Sequence, residues 1–136
     1  MKVAVIIPAH NEERRIANTL ESYSSYFENL RKIKKLDYEI LIVINNTFDK
    51  TLDIVKSFQR ENKRIIYLNL VKGGKGYAVI EGFKDTLKRD SDLIGFVDAD
   101  MATTPKAFYD LMKNIGHNDG AIASRYVKGS IVEPKP

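Results

Sequence analysis

No cysteine occurs anywhere in the chain. A disulfide framework and a thiolate metal site are therefore both excluded. Histidine is nearly as scarce: His10 and His117 are the only two, which rules out a histidine-rich zinc site. No apolar run approaches the ~18 residues that a membrane span requires. The opening Met1-Lys2-Val3-Ala4-Val5-Ile6-Ile7-Pro8 is too short for a signal peptide and runs straight into a strand pattern. These absences lead to the expectation of a cytoplasmic protein with no transmembrane segment. What is present has an ordinary globular balance, with 43% hydrophobic and 29% charged residues in a chain of 136, enough for one domain with a sizeable core. The net charge of +4 suits anionic substrates, a membrane surface or nucleic acid, and selects none of them. Much of the local excess lies in Arg31-Lys32-Ile33-Lys34-Lys35, which reads as a solvated helix end.

The most informative stretch is Leu93-Ile94-Gly95-Phe96-Val97-Asp98-Ala99-Asp100. Its apolar run predicts a strand buried on both faces. The run ends abruptly in two aspartates at i and i+2, which an extended backbone places on the same side. Two carboxylates so placed repel unless something positive lies between them. A hard divalent cation such as Mg²⁺ or Mn²⁺ fits, and typically brings a diphosphate with it. The same tripeptide also occurs as solvated turn residues, one of them capping the next helix.

Elsewhere, strands and helices alternate. Val3 to Ile7 is a short apolar strand that Pro8 is expected to end. Asn11 is placed as an N-cap, with Glu12 and Glu13 in the first helical turn. Ile16, Leu20, Tyr23, Phe27 and Leu30 then mark one helix face, with the aromatics assigned to the core. Tyr38 to Ile44 is a second strand, and Leu52, Val55 and Phe58 mark a second helix. Arg64 to Leu70 is a third strand. A glycine-rich turn at Gly73-Gly74-Lys75-Gly76 leads into a third helix with Val79, Phe83 and Leu87 facing inward. After the fourth strand, Thr104-Pro105 is a strong helix start. Phe108, Leu111, Met112 and Ile115 carry that helix inward and Gly116 stops it. Gly120 to Ser124 is expected as a fifth strand, and the tail from Arg125 has no clear period. This alternation predicts an α/β fold, Rossmann-like, with a mostly parallel sheet and helices on both faces.

In such sheets ligands bind beyond the carboxyl ends of the strands. Every chemically unusual cluster falls there: Pro8 to Glu12, Asn45 to Asp49, Gly73 to Gly76, Asp98 with Asp100, and Ser124-Arg125. The glycine-rich turn is not a nucleotide-hydrolase P-loop, because Gly76 follows the lysine where Ser or Thr is needed. Nor is it a dinucleotide fingerprint, since Val79 stands where the third glycine should be. A tight turn presenting Lys75 to an anion suits it better. His10 at a strand end reads more simply as hydrogen-bonded than as catalytic. Arg125 beside Lys128 could grip a phosphate as a planar fork, or form a surface ion pair.

Taken in order, Ile7-Pro8-Ala9-His10-Asn11-Glu12-Glu13, Val71 to Gly76, Phe96-Val97-Asp98-Ala99-Asp100 and Ala123-Ser124-Arg125-Tyr126-Val127-Lys128-Gly129 resemble the family 2 glycosyltransferases of the GT-A fold. The likeness is nearest to the dolichyl-phosphate mannose and glucose synthases. The resemblance implies one GT-A type nucleotide-sugar-binding domain over residues 1–136, incomplete at its C-terminus. It implies that Pro8, Ala9, Glu12, Asn45, Asp49, Lys75 and Asp98 bind the nucleotide sugar. Asp98 and Asp100 would hold Mg²⁺ or Mn²⁺, and Arg125 with Lys128 the acceptor phosphate. Asp98, Asp100 and Arg125 would carry the catalysis. The reaction implied is inverting transfer of a hexose from GDP-mannose or UDP-glucose to a polyprenyl or dolichyl phosphate at the cytoplasmic face of a membrane.

One segment departs from the family. After the second strand, members usually carry Asp-Asp or Asp-Asn, then a small residue and Ser-x-Asp; Asn45-Asn46-Thr47-Phe48-Asp49 keeps only the last aspartate and a hydroxyl. Other readings are a transferase acting on a sugar hydroxyl, which needs a general base that only Glu133 could supply after Arg125, and a non-catalytic sugar-nucleotide-binding module. A nucleic-acid partner is not expected, because the aromatics occupy helix-core positions and not a basic, aromatic-interleaved stripe.

Overall fold

A computed structural model describes residues 1–116 and 129–132. Strands and helices alternate as β1 (Lys2–Ala9), α1 (Ile16–Lys32), β2 (Asp37–Asn45), α2 (Thr51–Glu61), β3 (Ile65–Leu70), α3 (Lys75–Thr86), β4 (Leu93–Val97), α4 (Pro105–Gly116) and β5 (Gly129–Val132). The sheet order is β3-β2-β1-β4-β5. β1, β2, β3 and β4 run parallel, and β5 lies antiparallel to β4. The chain winds from β1 out to β3, then returns past β1 to lay β4 on its other side. That reversal makes the gap between β1 and β4 the topological switch point, where such sheets open a crevice.

Alternate residues of each strand feed two cores. Val3, Val5 and Ile7 join Ile40, Ile42 and Ile44 in the larger one, beneath Ile16, Leu20, Tyr23 and Phe27 of α1, Val55 of α2, and Phe108 and Met112 of α4. Ala4, Ile6, Leu41, Val43 and Ile94 face the other way, against Ala78 of α3. Helices thus cover both faces, as the alternation predicts. The aromatics of α1 are core residues: Phe27 meets Phe108 edge to face, with ring centroids 6.1 Å apart. No described helix is long and apolar enough to cross a membrane.

Several local expectations are corrected. Pro8 does not end β1, which continues to Ala9, with Pro8 opposite Val43. The β1–β4 pairing stops at Ile6, so Pro8 lies where β1 has outrun that neighbour and its missing N–H takes nothing from the β4 ladder. Asn11 does not cap α1. The helix starts at Ile16 with no acidic residue in its first turn, and Asn11, at φ 49°, turns its side chain to the next loop instead. The most deeply buried residues of α3 are Ala78, Gly82 and Thr86; Phe83 packs partly buried against the same core as expected, while Leu87 is 58% exposed. Small residues let α3 sit close to the sheet: a Cβ on Gly82 would come within 2.8 Å of Ile6 Cγ2. The expected fifth strand, Gly120 to Ser124, lies outside the described residues, and β5 is found in the tail that shows no period.

Thr104 does start α4: its side chain accepts the Ala107 N–H at 3.2 Å, with Pro105 at the first helical position. Arg31 and Lys32 close α1 at its basic last turn.

Candidate functional site

The first four strand ends converge on one cleft of about 380 Å³. β1 contributes Pro8, Ala9 and His10, and β2 contributes Asn45 and Asn46. The turn before α3 contributes Gly73, Gly74 and Lys75, and the end of β4 contributes Asp98, Ala99 and Asp100. Glu12 and Arg15, between β1 and α1, complete the wall. The cleft straddles β1 and β4, at the switch point of the sheet.

The two aspartates reach the cleft by a turn and not by strand alternation. β4 ends at Val97, and Met101 takes φ 63° as the chain reverses. Asp98 is partly shielded; Asp100 is exposed, and one of its oxygens accepts the Ala102 N–H at 2.9 Å. Asp98 Oδ1 forms an ion pair with Lys75 Nζ. The anion that Lys75 faces is thus one of the protein's own cleft carboxylates. Among the described residues, no group of three or more His, Asp or Glu side chains could hold a metal ion. Asp98 and Asp100 could offer a cation two carboxylates, a set that would suit a hard cation only when a ligand phosphate supplied further oxygens.

Behind the cleft, α1 holds the loop that carries the aspartates. The Thr19 hydroxyl donates to the Ala99 carbonyl at 2.5 Å, and the buried Tyr23 hydroxyl donates to the Thr103 carbonyl. Thr19 and Tyr23 are four residues apart, one above the other on the same helix face. Burial pushes the Tyr23 phenol well above its ordinary range, so it stays a donor.

The β2–α2 loop is tied to the loop after β1. Asn45, 3% exposed, donates from its amide to the Ala9 carbonyl at 3.2 Å. His10 Nδ1 lies 3.0 Å from the Asn45 carbonyl, which only accepts, so Nδ1 carries the proton. Asn11 Oδ1 accepts the Phe48 N–H, and Thr51 Oγ1 accepts the Glu12 N–H at 2.9 Å. Asp49 does not line the cleft. Its carboxylate accepts the Thr51 N–H at 2.9 Å and the Glu13 N–H at 3.2 Å. Burial acts to raise its pKa, but the hydrogen bonds from Thr51 and Glu13 outweigh it and hold the carboxyl below the usual range.

Of the residues singled out in the sequence, Pro8, Ala9, Glu12, Asn45, Lys75, Asp98 and Asp100 come together, while Asp49 stands behind them as a loop clamp. Arg125 and Lys128 lie outside the described residues. Arg15 lines the cleft without having been expected there, and Asn46 lines it as part of the Asn45 to Asp49 cluster without having been named as a binding residue. Arg15 reads in the sequence as part of a helix, but it precedes α1 and donates to Glu12 from Nε at 2.8 Å. Asn46 takes φ 44° and packs on Gly73, which leaves 3.2 Å between its Cβ and a Cβ placed there.

Comparison with known proteins gives a consistent pattern. The family described as glycosyl transferase family 2 matches residues 4–135. A dolichol-phosphate mannosyltransferase of Pyrococcus furiosus is 34% identical over 137 aligned positions, covering 100% of this chain and 36% of its own length. A dolichyl-phosphate beta-glucosyltransferase of Trichomonas vaginalis is 34% identical over 115, covering 83% of this chain and 35% of its own. This chain therefore spans about a third of these relatives. Among solved structures, the mannosyltransferase PcManGT from Pyrobaculum calidifontis, in complex with GDP-Man and Mn²⁺, superposes with a TM-score of 0.73 at 15% identity, over 96% of this chain and 44% of that one. TarS 1-349 of S. aureus, in complex with UDP-GlcNAc, gives 0.66 at 25% identity, over 90% of this chain and 33% of that one. The fold is that of the GT-A glycosyltransferases.

Proposed function

This chain belongs to glycosyl transferase family 2, and from that premise we propose that its cleft is the donor site of a metal-dependent inverting hexosyltransferase. The donor is a nucleotide sugar of the GDP-mannose or UDP-glucose type, and the acceptor is a polyprenyl phosphate at a membrane surface. Residues 1–136 would form its donor-binding domain. The observation that carries the reading is the meeting of Asp98 and Asp100 with Pro8, Ala9, Glu12 and Lys75 around one cleft at the β1–β4 switch point.

In this reading Pro8, Ala9, Glu12 and Asn45 shape the nucleotide side of the cleft. Asp49 acts through the loop it clamps. Asp98 and Asp100 would hold Mg²⁺ or Mn²⁺, which neutralises charge on the departing nucleoside diphosphate. Lys75 adds a mobile positive charge to the same side. An acceptor phosphate oxygen attacks the anomeric carbon from the face opposite the diphosphate, and the carbon–oxygen bond to that diphosphate breaks with its electron pair. A phosphate is already an anion near neutral pH, so no side chain must deprotonate it. That explains why the cleft can work without a dedicated base, where a hydroxyl acceptor would need one. Arg125 and Lys128 are proposed as the acceptor-phosphate grip.

Titration calorimetry with GDP-mannose and UDP-glucose, each with Mn²⁺ and with chelator, tests the reading. Binding of one donor that disappears with chelator is the expected result and names the nucleotide. A folded sample that binds neither donor with Mn²⁺ would overturn it.

A further inference from the structure

We propose that Lys75 and a divalent cation compete for Asp98, so that cation capture at Asp98 and Asp100 depends on a nucleoside diphosphate drawing the lysine away. The inference rests on the metal-dependent donor reading above and deepens it: donor diphosphate and cation must enter together.

The ammonium of Lys75 pairs with Asp98 Oδ1, one of the two oxygens through which Asp98 could bind a cation shared with Asp100. A divalent ion there meets a positive charge at contact distance, and the two repel. Lys75 is able to leave. Its side chain is 57% exposed, against 23% for Asp98, and it carries its charge on a flexible four-carbon stem. Its ammonium also lies 5.9 Å from the Phe96 ring centroid, a weak contact that does not fix it.

The lysine also has somewhere better to go. It is the first residue of α3, where the helix dipole disfavours a cation and favours an anion. Gly73 and Gly74 line the cleft beside it, with Gly74 at φ 118°, so these two residues put no side chain of their own between the cleft and the helix start. A diphosphate arriving there meets the ammonium and the first N–H groups of α3 together. The lysine exchanges a carboxylate for a diphosphate, and the released Asp98 oxygen becomes available to the cation. Lys75 thereby couples cation capture to diphosphate binding.

Mn²⁺ binding, read by electron paramagnetic resonance, tests this on the wild-type chain and on Lys75→Met, with and without saturating UDP or GDP. Without nucleotide, Lys75→Met is expected to bind Mn²⁺ at least ten-fold more tightly than wild type. With nucleotide the advantage should vanish or reverse. Lys75→Arg, which keeps the charge, should behave as wild type. Adding Asp98→Asn to Lys75→Met should erase the gain; a gain that persists overturns the competition. Equal Mn²⁺ affinity of wild type and Lys75→Met without nucleotide, alongside intact nucleotide-dependent binding, overturns the inference but leaves the metal reading standing. No Mn²⁺ uptake in any arm overturns both. Thermal melts of each variant by circular dichroism confirm that the comparison is between folded proteins.

Discussion

At the scale of single residues, the cleft depends on groups that do not line it. Tyr23 and Thr19 hold the loop after β4 from behind, through the carbonyls of Thr103 and Ala99. Tyr23→Phe keeps the ring in the core but leaves the Thr103 carbonyl without its donor. The expected loss is ~1–2 kcal/mol of stability, the desolvation cost of one unpaired buried acceptor, read as a lowered midpoint in urea. Donor affinity should fall as well, because the loop carrying Asp98 and Asp100 is no longer held. Asp100→Asn can keep an oxygen for the Ala102 N–H and removes only the charge. Stability should be unchanged within ~0.5 kcal/mol, while Mn²⁺-dependent donor binding drops at least ten-fold by calorimetry. Unchanged binding would remove Asp100 from the cation site. Arg125→Ala should spare donor binding and weaken the acceptor phosphate; abolished donor binding would overturn its proposed role.

At the scale of elements, α3 is the helix whose distance from the sheet is set by its smallest residues. Gly82 lies over Ile6 and Val43, with 2.8 and 3.1 Å left for an added Cβ. Gly82→Ala improves helix propensity by ~1 kcal/mol, yet overpacking against two buried side chains costs ~1–3 kcal/mol. The clash should win, and Gly82→Val should be worse. Gly76, in the first turn of the same helix, has nothing within 4 Å of such a Cβ. There Gly76→Ala should stabilise by ~0.5 kcal/mol. Opposite signs for the two alanines in chemical melts would establish that contact, and not propensity, governs α3. The same reasoning explains why the inner face reads only in part from the sequence. Of the large apolar residues Phe83 does pack against the core, but a helix seated this close buries Ala78, Gly82 and Thr86 most deeply and leaves Leu87 exposed.

At the scale of the whole molecule, the two ends of the sheet have different jobs. The carboxyl ends form the cleft. Towards the other end, Glu39 is buried and is held by the fork of Arg89, Nη2 to Oε2 at 2.8 Å, and by Lys2 at 3.3 Å. Carboxylates away from the cleft also set the response to acid. The hydrogen bond from Arg64 holds Asp37 low, and that from Arg31 holds Glu28 low; with Asp49, all three lie below their ordinary values. A depressed folded-state pKa adds stability that is fully present above the unfolded value of about 4 and is lost as pH falls through the folded value. Melting temperature should therefore fall steadily below about pH 4. At the alkaline end the sign reverses. Burial pushes the Tyr38 phenol up to about 12, so its contribution is complete below the ordinary value of about 10 and fades as pH rises towards 12. A pH series of melts from 2 to 12 should show both shoulders; a flat acid limb would mean that these pairs are too well solvated to matter.

The sequence by itself determined the α/β alternation, the start of α4 at Thr104-Pro105, the aromatic core of α1, and the position of the cleft residues at successive strand ends. These are local properties: hydrophobic period, caps and the rule that such sheets bind ligands at carboxyl ends. Tertiary structure decided what depends on partners far along the chain. Pro8 stays in β1 because β4 stops pairing at Ile6. Asn11 serves the β2–α2 loop because Phe48 presents an N–H to it. Asp49 becomes a clamp because the loop after β1 folds against it. β5 exists because Gly129–Val132 finds Ile94–Val97 beside it, a four-residue pairing too short to leave a period of its own. The ion pair of Lys75 with Asp98 joins residues from two strand ends separated by all of α3. No spacing rule links them, and only the parallel return of β4 beside β1 brings them together.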